Sequence, residues 1–179
     1  MKLSLYPAGW HVQLRQAVGA YRPWLLDRGS LTRRIVKRCA AFGVRGVLVH
    51  SGWWESAEAG AASGRQHALL REVCLFCGET PLVYAHSTLP LASLRGSWRA
   101  LRWLGERPLG EVLFSDPQVR RAPLQYKKLN QRHWLYRRAC RHLADPPPFL
   151  WARRSVFTLN RRPIQVTEVF LPGILGLPR

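Results

Sequence analysis

Acidic residues are scarce in this chain: 10 Asp and Glu stand against 28 Lys and Arg among 179 residues, for a formal charge of +18. Lysine is scarce too. Only Lys2, Lys37, Lys127 and Lys128 occur, so 24 of the basic residues are arginine. No apolar run approaches the ~20 residues that span a bilayer, which argues against stable membrane insertion. The opening "MKLSLYPAGWHVQL" is interrupted by Pro7 and Gly9 and does not read as a secretory signal, so a soluble, cytoplasmic protein is expected. No phosphate-cradling glycine loop is present. The six histidines are scattered, and no triad assembles from their spacing. The four cysteines (Cys39, Cys74, Cys77, Cys140) do not suggest a disulfide scaffold. "CLFC" invites a metal reading, but Cys74 and Cys77 point to opposite faces of an extended strand. No second pair has ligand spacing, so no metal site is expected.

What the chain does have is apolar and aromatic mass, 47% and 11% of its residues, at a length suited to one domain with a real core. The domain is expected to span 1–179. The surplus of positive charge attracts anions of any kind, whether small carboxylates, nucleic acid or anionic lipid. "WLLDRGSLTRRIVKRCAAFG" reads as two short helical pieces, with Ser30 as N-cap, Leu31, Ile35 and Val36 inward, and Gly43 as the stop. Val44–Trp54 reads as a strand and "ESAEAGAASGRQHA" as a surface loop. Arg71–Cys77 and Leu82–Leu89 form a hairpin around Gly78-Glu79-Thr80. Leu94, Trp98, Leu101 and Leu104 recur at helical spacing up to Gly105, and Pro108-Leu109-Gly110 turns at a helix boundary. Arg154–Leu159 and Ile164–Leu171 form a second hairpin around Asn160-Arg161-Arg162. Hairpins with a few helices imply an α+β fold, an antiparallel sheet with helices packed against it.

Two side chains stand out. In "IQVTEVFLP", Glu168 shares a strand face with Ile164, Val166 and Phe170, where a carboxylate is costly unless something pairs with it. It is either the partner of one of the many arginines or a proton acceptor and hydroxyl partner at a site. In "REVCLFC", Arg71 shares a face with Val73, Leu75 and Cys77, either as a snorkelling side chain or as a bidentate clamp for a carboxylate. The basic stretch Arg120–His142 interleaves cations with Tyr126, Trp134 and Tyr136. It reads as an amphipathic helix with Leu135, Ala139 and Leu143 inward, or as a nucleic-acid surface.

The order of four segments is more specific than any one of them. "WLLDRGSLTRRI", "REVCLFCGETPLVYAHSTLP", "LGERPLGEVLF" and "LWARRSVFTLNRRPIQVTEVFLP" together resemble the chorismate pyruvate-lyase family, from about residue 24 to 172. The resemblance implies an internal ligand pocket under helical flaps. It implies conversion of chorismate to 4-hydroxybenzoate and pyruvate for ubiquinone biosynthesis, by a cytoplasmic monomer using no cofactor and binding no nucleic acid. It assigns the carboxylate-binding arginine to Arg71, a backbone N–H on the same carboxylate to Leu109, a pocket-lining side chain to Leu31, and the acid facing the ring hydroxyl to Glu168. Arg71 and Glu168 are thus the candidate catalytic residues. Many members carry arginine in the second hairpin strand where this chain has His86, so His86 is the candidate for holding a second carboxylate. A non-catalytic module of the same fold that binds small aromatic carboxylates is the alternative.

Overall fold

The structure, a computed structural model, describes residues 9–14, 18–55 and 65–178. Among these residues, seven strands form one antiparallel sheet: β1 (Phe42–Glu55), β2 (Arg65–Cys77), β3 (Thr80–Pro90), β4 (Arg120–Arg121), β5 (Gln125–Leu129), β6 (Leu150–Leu159) and β7 (Arg162–Phe170). The order across the sheet is β1-β2-β3-β7-β6-β4, with β5 also paired to β6. The first hairpin turns at Gly78, whose φ of 57° suits a residue without Cβ. The second turns at Asn160 and Arg161, both left-handed (φ 48° and 63°), the backbone that best matches the twist of a two-residue hairpin.

Among the described residues, five short α-helices lie against the sheet: α1 (Arg22–Leu26), α2 (Leu31–Val36), α3 (Leu91–Leu94), α4 (Leu109–Ser115) and α5 (Trp134–Ala139). Ser30 caps α2, its hydroxyl accepting from the Arg33 N–H at 3.2 Å. One sheet face packs under α1 and α2 through Trp24, Leu25, Leu31, Ile35, Leu82 and Phe170. The other packs against α5 through Cys74, Tyr84, Leu135, Ala139, Ala152 and Val169. A third cluster gathers Leu94, Trp98, Leu101, Leu104, Leu109 and Leu113 over Phe157 and Ile164.

Several expectations are corrected. Leu94, Trp98, Leu101 and Leu104 are all buried, but no single helix carries them: Leu94 ends α3, Leu101 sits in a 3-10 turn (Arg99–Trp103), and Trp98 and Leu104 flank that turn. Val36 is exposed, and α2 ends there, well before Gly43. Residues 65–68 belong to β2 and not to a loop; 56–64 lie outside the described residues. The stretch Arg120–His142 is not one helix: it holds the two short strands β4 and β5, the six-residue α5 with Leu135 and Ala139 inward, and a 3-10 turn (Cys140–His142), and Tyr126 and Tyr136 are buried in the core. β6 starts at Leu150, four residues before the expected Arg154.

Cysteine also departs from expectation: Cys39 and Cys77 form a disulfide. Their separation of 38 residues gives no local signature. The pairing follows from Phe42 lying opposite Cys77 in the β1–β2 register. Closing a loop of that length is worth about 4 kcal/mol in the chain-entropy account. Reduction, or a Cys39→Ser/Cys77→Ser double substitution, is therefore expected to lower unfolding stability by about 2–4 kcal/mol. Urea melts with and without a reductant measure this.

Candidate functional site

Alternation along the central strands places one set of side chains against the helical cover. Arg71, Val73 and Leu75 of β2, Ala85 and Ser87 of β3, Val166 and Glu168 of β7, and Phe157 of β6 all line one cavity. Arg71 pairs with Ser87, and Ala85 pairs with Glu168. Arg71 and Glu168 are therefore two strand spacings apart, about 10 Å, with an offset of two residues. The strand between them presents only Ala85 and Ser87. Small side chains there leave a hollow between a guanidinium and a carboxylate.

Arg71 is 5% exposed. Its Nη2 donates to the carbonyls of Gly105 (2.9 Å) and Arg107 (3.1 Å), while its buried Nε has no hydrogen-bond partner among the described residues. Burial lowers its pKa, and no carboxylate in the described residues pairs with it. The carbonyls it holds immediately precede Pro108, which caps α4 in extended conformation. Leu109 is the first residue of that helix, buried against the cavity, so its backbone N–H has no intrahelical acceptor.

Glu168 is held by Arg153, its register partner on β6. Nε of Arg153 donates to Oε2 at 2.5 Å. The Arg153 side chain is wholly buried, and its Nη1 also donates to the carbonyls of Trp24 (3.0 Å) and Asp27 (2.5 Å). Glu168 is thus paired with an arginine, the first reading of its sequence position, and it also lines the cavity. The same arginine ties the α1–α2 loop to the sheet. Burial pushes the Asp27 carboxyl up, but the Gly29 N–H and the Arg34 and Arg153 charges outweigh it and hold it below its ordinary value.

The cover is the meeting of two helix starts. Leu31 and Thr32 of α2 and Leu109 and Gly110 of α4 line the cavity together. A Cβ on Gly110 would lie 3.2 Å from Thr32 Oγ1 and 3.3 Å from Ser30 Oγ, so glycine allows this close approach. The free volume inside is about 50 Å³. That is smaller than the roughly 150 Å³ apolar cavity known to take benzene, so admitting a ring requires α2 and α4 to part.

Arg121, which the sequence reading did not single out, lines this cavity as well. So does Phe114, which with Phe157 flanks the Arg121 guanidinium. Arg153 lay just outside the strand expected at Arg154. Alternation of Trp151, Arg153, Ser155 and Phe157 in "LWARRSVF" was the signal that would have flagged it.

His86 is corrected. It does not reach the cavity of Arg71 and Glu168, because alternation along β3 sends it to the opposite face. There it lines a more open groove of about 410 Å³ with Glu72, His50, Trp134 and Arg138. This groove is the roomier hollow, but the buried and unneutralised charge lies in the other. Glu72 in the groove is already served: Tyr84 donates to it at 2.7 Å, with Arg138 at 3.7 Å and His50 at 3.9 Å. Burial lowers the pKa of His86 to about 4; Glu72 opposes this, and His50 and Arg138 add to it. A depressed base gives stability that is present above the unfolded value near 6.5 and is lost as pH falls toward 4. From pH 7 to pH 5 the fold is expected to lose about 2 kcal/mol through this residue. Urea titrations of the wild type and His86→Gln at both pH values test this, the variant showing a shallower dependence.

Among the described residues, no three His, Cys, Asp or Glu side chains come together as a metal site. Cys74 and Cys77 do point to opposite faces: Cys77 is disulfide-bonded, and burial pushes the Cys74 thiol up to about 12. No helix is long and apolar enough to cross a membrane, among the described residues.

Comparison with known proteins finds a family model, named relatives and structures of similar fold. Residues 10–176 match the family model for chorismate lyase. A protein of Nitrosospira multiformis named "Probable chorismate pyruvate-lyase" is 48% identical over 171 residues, covering 94% of this chain and 95% of that protein. One of the same name from Nitrosomonas europaea is 45% identical, covering 96% and 97%. Among solved structures, the ligand-binding domain of a Bordetella bronchiseptica regulator assigned to the GntR family aligns with a TM-score of 0.51 at 17% identity, over 73% of this chain and 84% of that one. The C-terminal domain of Yurk from Bacillus subtilis aligns with 0.50 at 14%, over 72% and 90%. These two likenesses show a shared fold.

Proposed function

Because this chain belongs to the chorismate lyase family, we propose that its cavity takes chorismate and eliminates the enolpyruvyl group, giving 4-hydroxybenzoate and pyruvate for ubiquinone biosynthesis. The observation that carries the reading is the pairing of a buried, unneutralised Arg71 with Glu168 across a hollow floored by Ala85 and Ser87. The ring carboxylate binds Arg71 and the Leu109 N–H, a charge-assisted pair in a site that excludes water. Leu31 packs on the ring. The ring hydroxyl, para to the carboxylate, faces Glu168.

In the reaction the bond from ring carbon 3 to the ether oxygen breaks, and the hydrogen on carbon 4 leaves as a proton. The ring becomes aromatic. The departing enolpyruvate gains a proton on its methylene and becomes pyruvate, so atoms and charge balance. Aromatisation supplies the driving force, and the protein's share is orientation and charge stabilisation. Glu168, fixed by Arg153, accepts a hydrogen bond from the hydroxyl on the carbon that loses its proton. The whole chain acts as one domain, as a monomer in the cytoplasm, and the excess of positive charge draws in the dianion.

The test is to mix the protein with chorismate, with nothing else added, and to follow both products. Equal amounts of pyruvate and 4-hydroxybenzoate are expected. No turnover, together with tight binding of 4-hydroxybenzoate, would support a non-catalytic binding module instead.

A further inference from the structure

Two arginines line the cavity and a third, Arg153, holds its carboxylate; they differ in how their charge is met. Arg153 is paired with Glu168. Arg71 is held by carbonyls alone. Arg121, on the short strand β4, sits with its guanidinium carbon 5.0 Å from the Phe157 ring centre and 5.6 Å from that of Phe114. Its Nη1 donates to the Arg28 carbonyl at 2.9 Å, and its buried Nε has no hydrogen-bond partner among the described residues. Glu168 and Asp27 act on its charge from one side and Arg153 opposes them, but no acid among the described residues lies within ion-pair distance. A guanidinium taken out of water and left without an anion is expensive, unless a ligand supplies the anion.

Two unneutralised arginines and one hydroxyl-facing carboxylate match a dianion better than a monoanion. Position adds a second constraint. Arg71 lies at the end of the cavity marked by Gly105, Arg107 and Leu109, and Arg121 at the end marked by Glu168. In a ring bound with its carboxylate on Arg71 and its hydroxyl on Glu168, the enolpyruvyl ether leaves the carbon next to the hydroxyl-bearing one. Its carboxylate therefore falls at the Glu168 end. We propose that Arg121 binds the carboxylate of the enolpyruvyl group, taking the place assigned by resemblance to the residue at His86. This rests on the chorismate reading and deepens it. Arg121 then discriminates substrate from product: it grips the dicarboxylate, and after cleavage it holds the departing pyruvate and not the aromatic product.

The experiment compares wild type, Arg121→Gln, Arg121→Lys and Arg71→Gln for the KM of chorismate and the Kd of 4-hydroxybenzoate. Arg121→Gln is expected to raise KM by roughly 30-fold or more while the product Kd stays within about threefold. Arg121→Lys should recover part of the loss, because it keeps the charge but not the fork. Arg71→Gln should weaken both ligands. An unchanged KM in Arg121→Gln would overturn the assignment. So would a product Kd that weakens as much as KM, since a merely structural role moves both. Should the wild type bind chorismate without turning it over, the lyase reading fails by itself. Calorimetric Kd values for chorismate and 4-hydroxybenzoate then replace KM, and the assignment is overturned if their ratio is the same in Arg121→Gln and wild type.

Discussion

Replacing Arg71 with alanine is expected to lower kcat/KM for chorismate by about 10²–10³-fold and to weaken 4-hydroxybenzoate binding by a similar factor, consistent with truncating one member of a buried charge pair. The size follows from the surroundings. Arg71 is buried beside Val73 and Leu75, so a carboxylate that docks there leaves water and needs a full replacement for its hydration. The Leu109 N–H alone does not supply it. Lysine should restore little: an ammonium can replace the single nitrogen, Nη2, that serves the carbonyls of Gly105 and Arg107, but it lacks the planar fork that meets a carboxylate bidentately. The substitution also removes the donor that holds the turn before α4, so a small loss of stability is expected alongside, about 1–2 kcal/mol. Steady-state kinetics, product titration and a thermal melt on the same preparation separate the two effects.

The second large effect is expected at a residue that touches no substrate. Arg153→Met should cost about 3–5 kcal/mol of stability, because it strands the Glu168 carboxylate and releases the carbonyls of Trp24 and Asp27 together. In a chain of this size that lowers Tm by about 10 °C. The double substitution Arg153→Met/Glu168→Gln discriminates between causes. It removes the stranded charge, so it should recover part of the stability and none of the activity. If the double variant melts no higher than the single one, the loss comes from the α1–α2 loop and not from the carboxylate. Calorimetric melts of the three proteins decide this.

The sequence was informative where the physics is local. Ser30 capped its helix, the Gly78 turn closed its hairpin, and period-two alternation placed Arg71 with Val73 and Leu75, and Glu168 with Val166, each on one face of its strand. It was less informative where the signal depends on which strands become neighbours. Nothing near Cys39 announces Cys77, because their bridge follows from the β1–β2 register. The helical spacing of Leu94 to Leu104 was real as burial and wrong as a helix, since 3-10 turns also bring third residues to one side. His86 was assigned from resemblance alone: in the β2–β3–β7 register that brings Arg71 and Glu168 to one cavity, alternation along β3 sends His86 to the other face. Arg121 had no pattern of its own. Its β4 strand is two residues long, and only pairing with Phe157 brings it to the cavity.

A crystal structure of the protein with 4-hydroxybenzoate tests the central claim most directly. The account predicts one molecule between α2, α4 and the sheet. Its carboxylate should lie within hydrogen-bond reach of Arg71 and the Leu109 N–H, and its hydroxyl against the Glu168 carboxylate. A product molecule seated instead in the groove beside His86 and Trp134, with the Arg71 cavity closed, would contradict it.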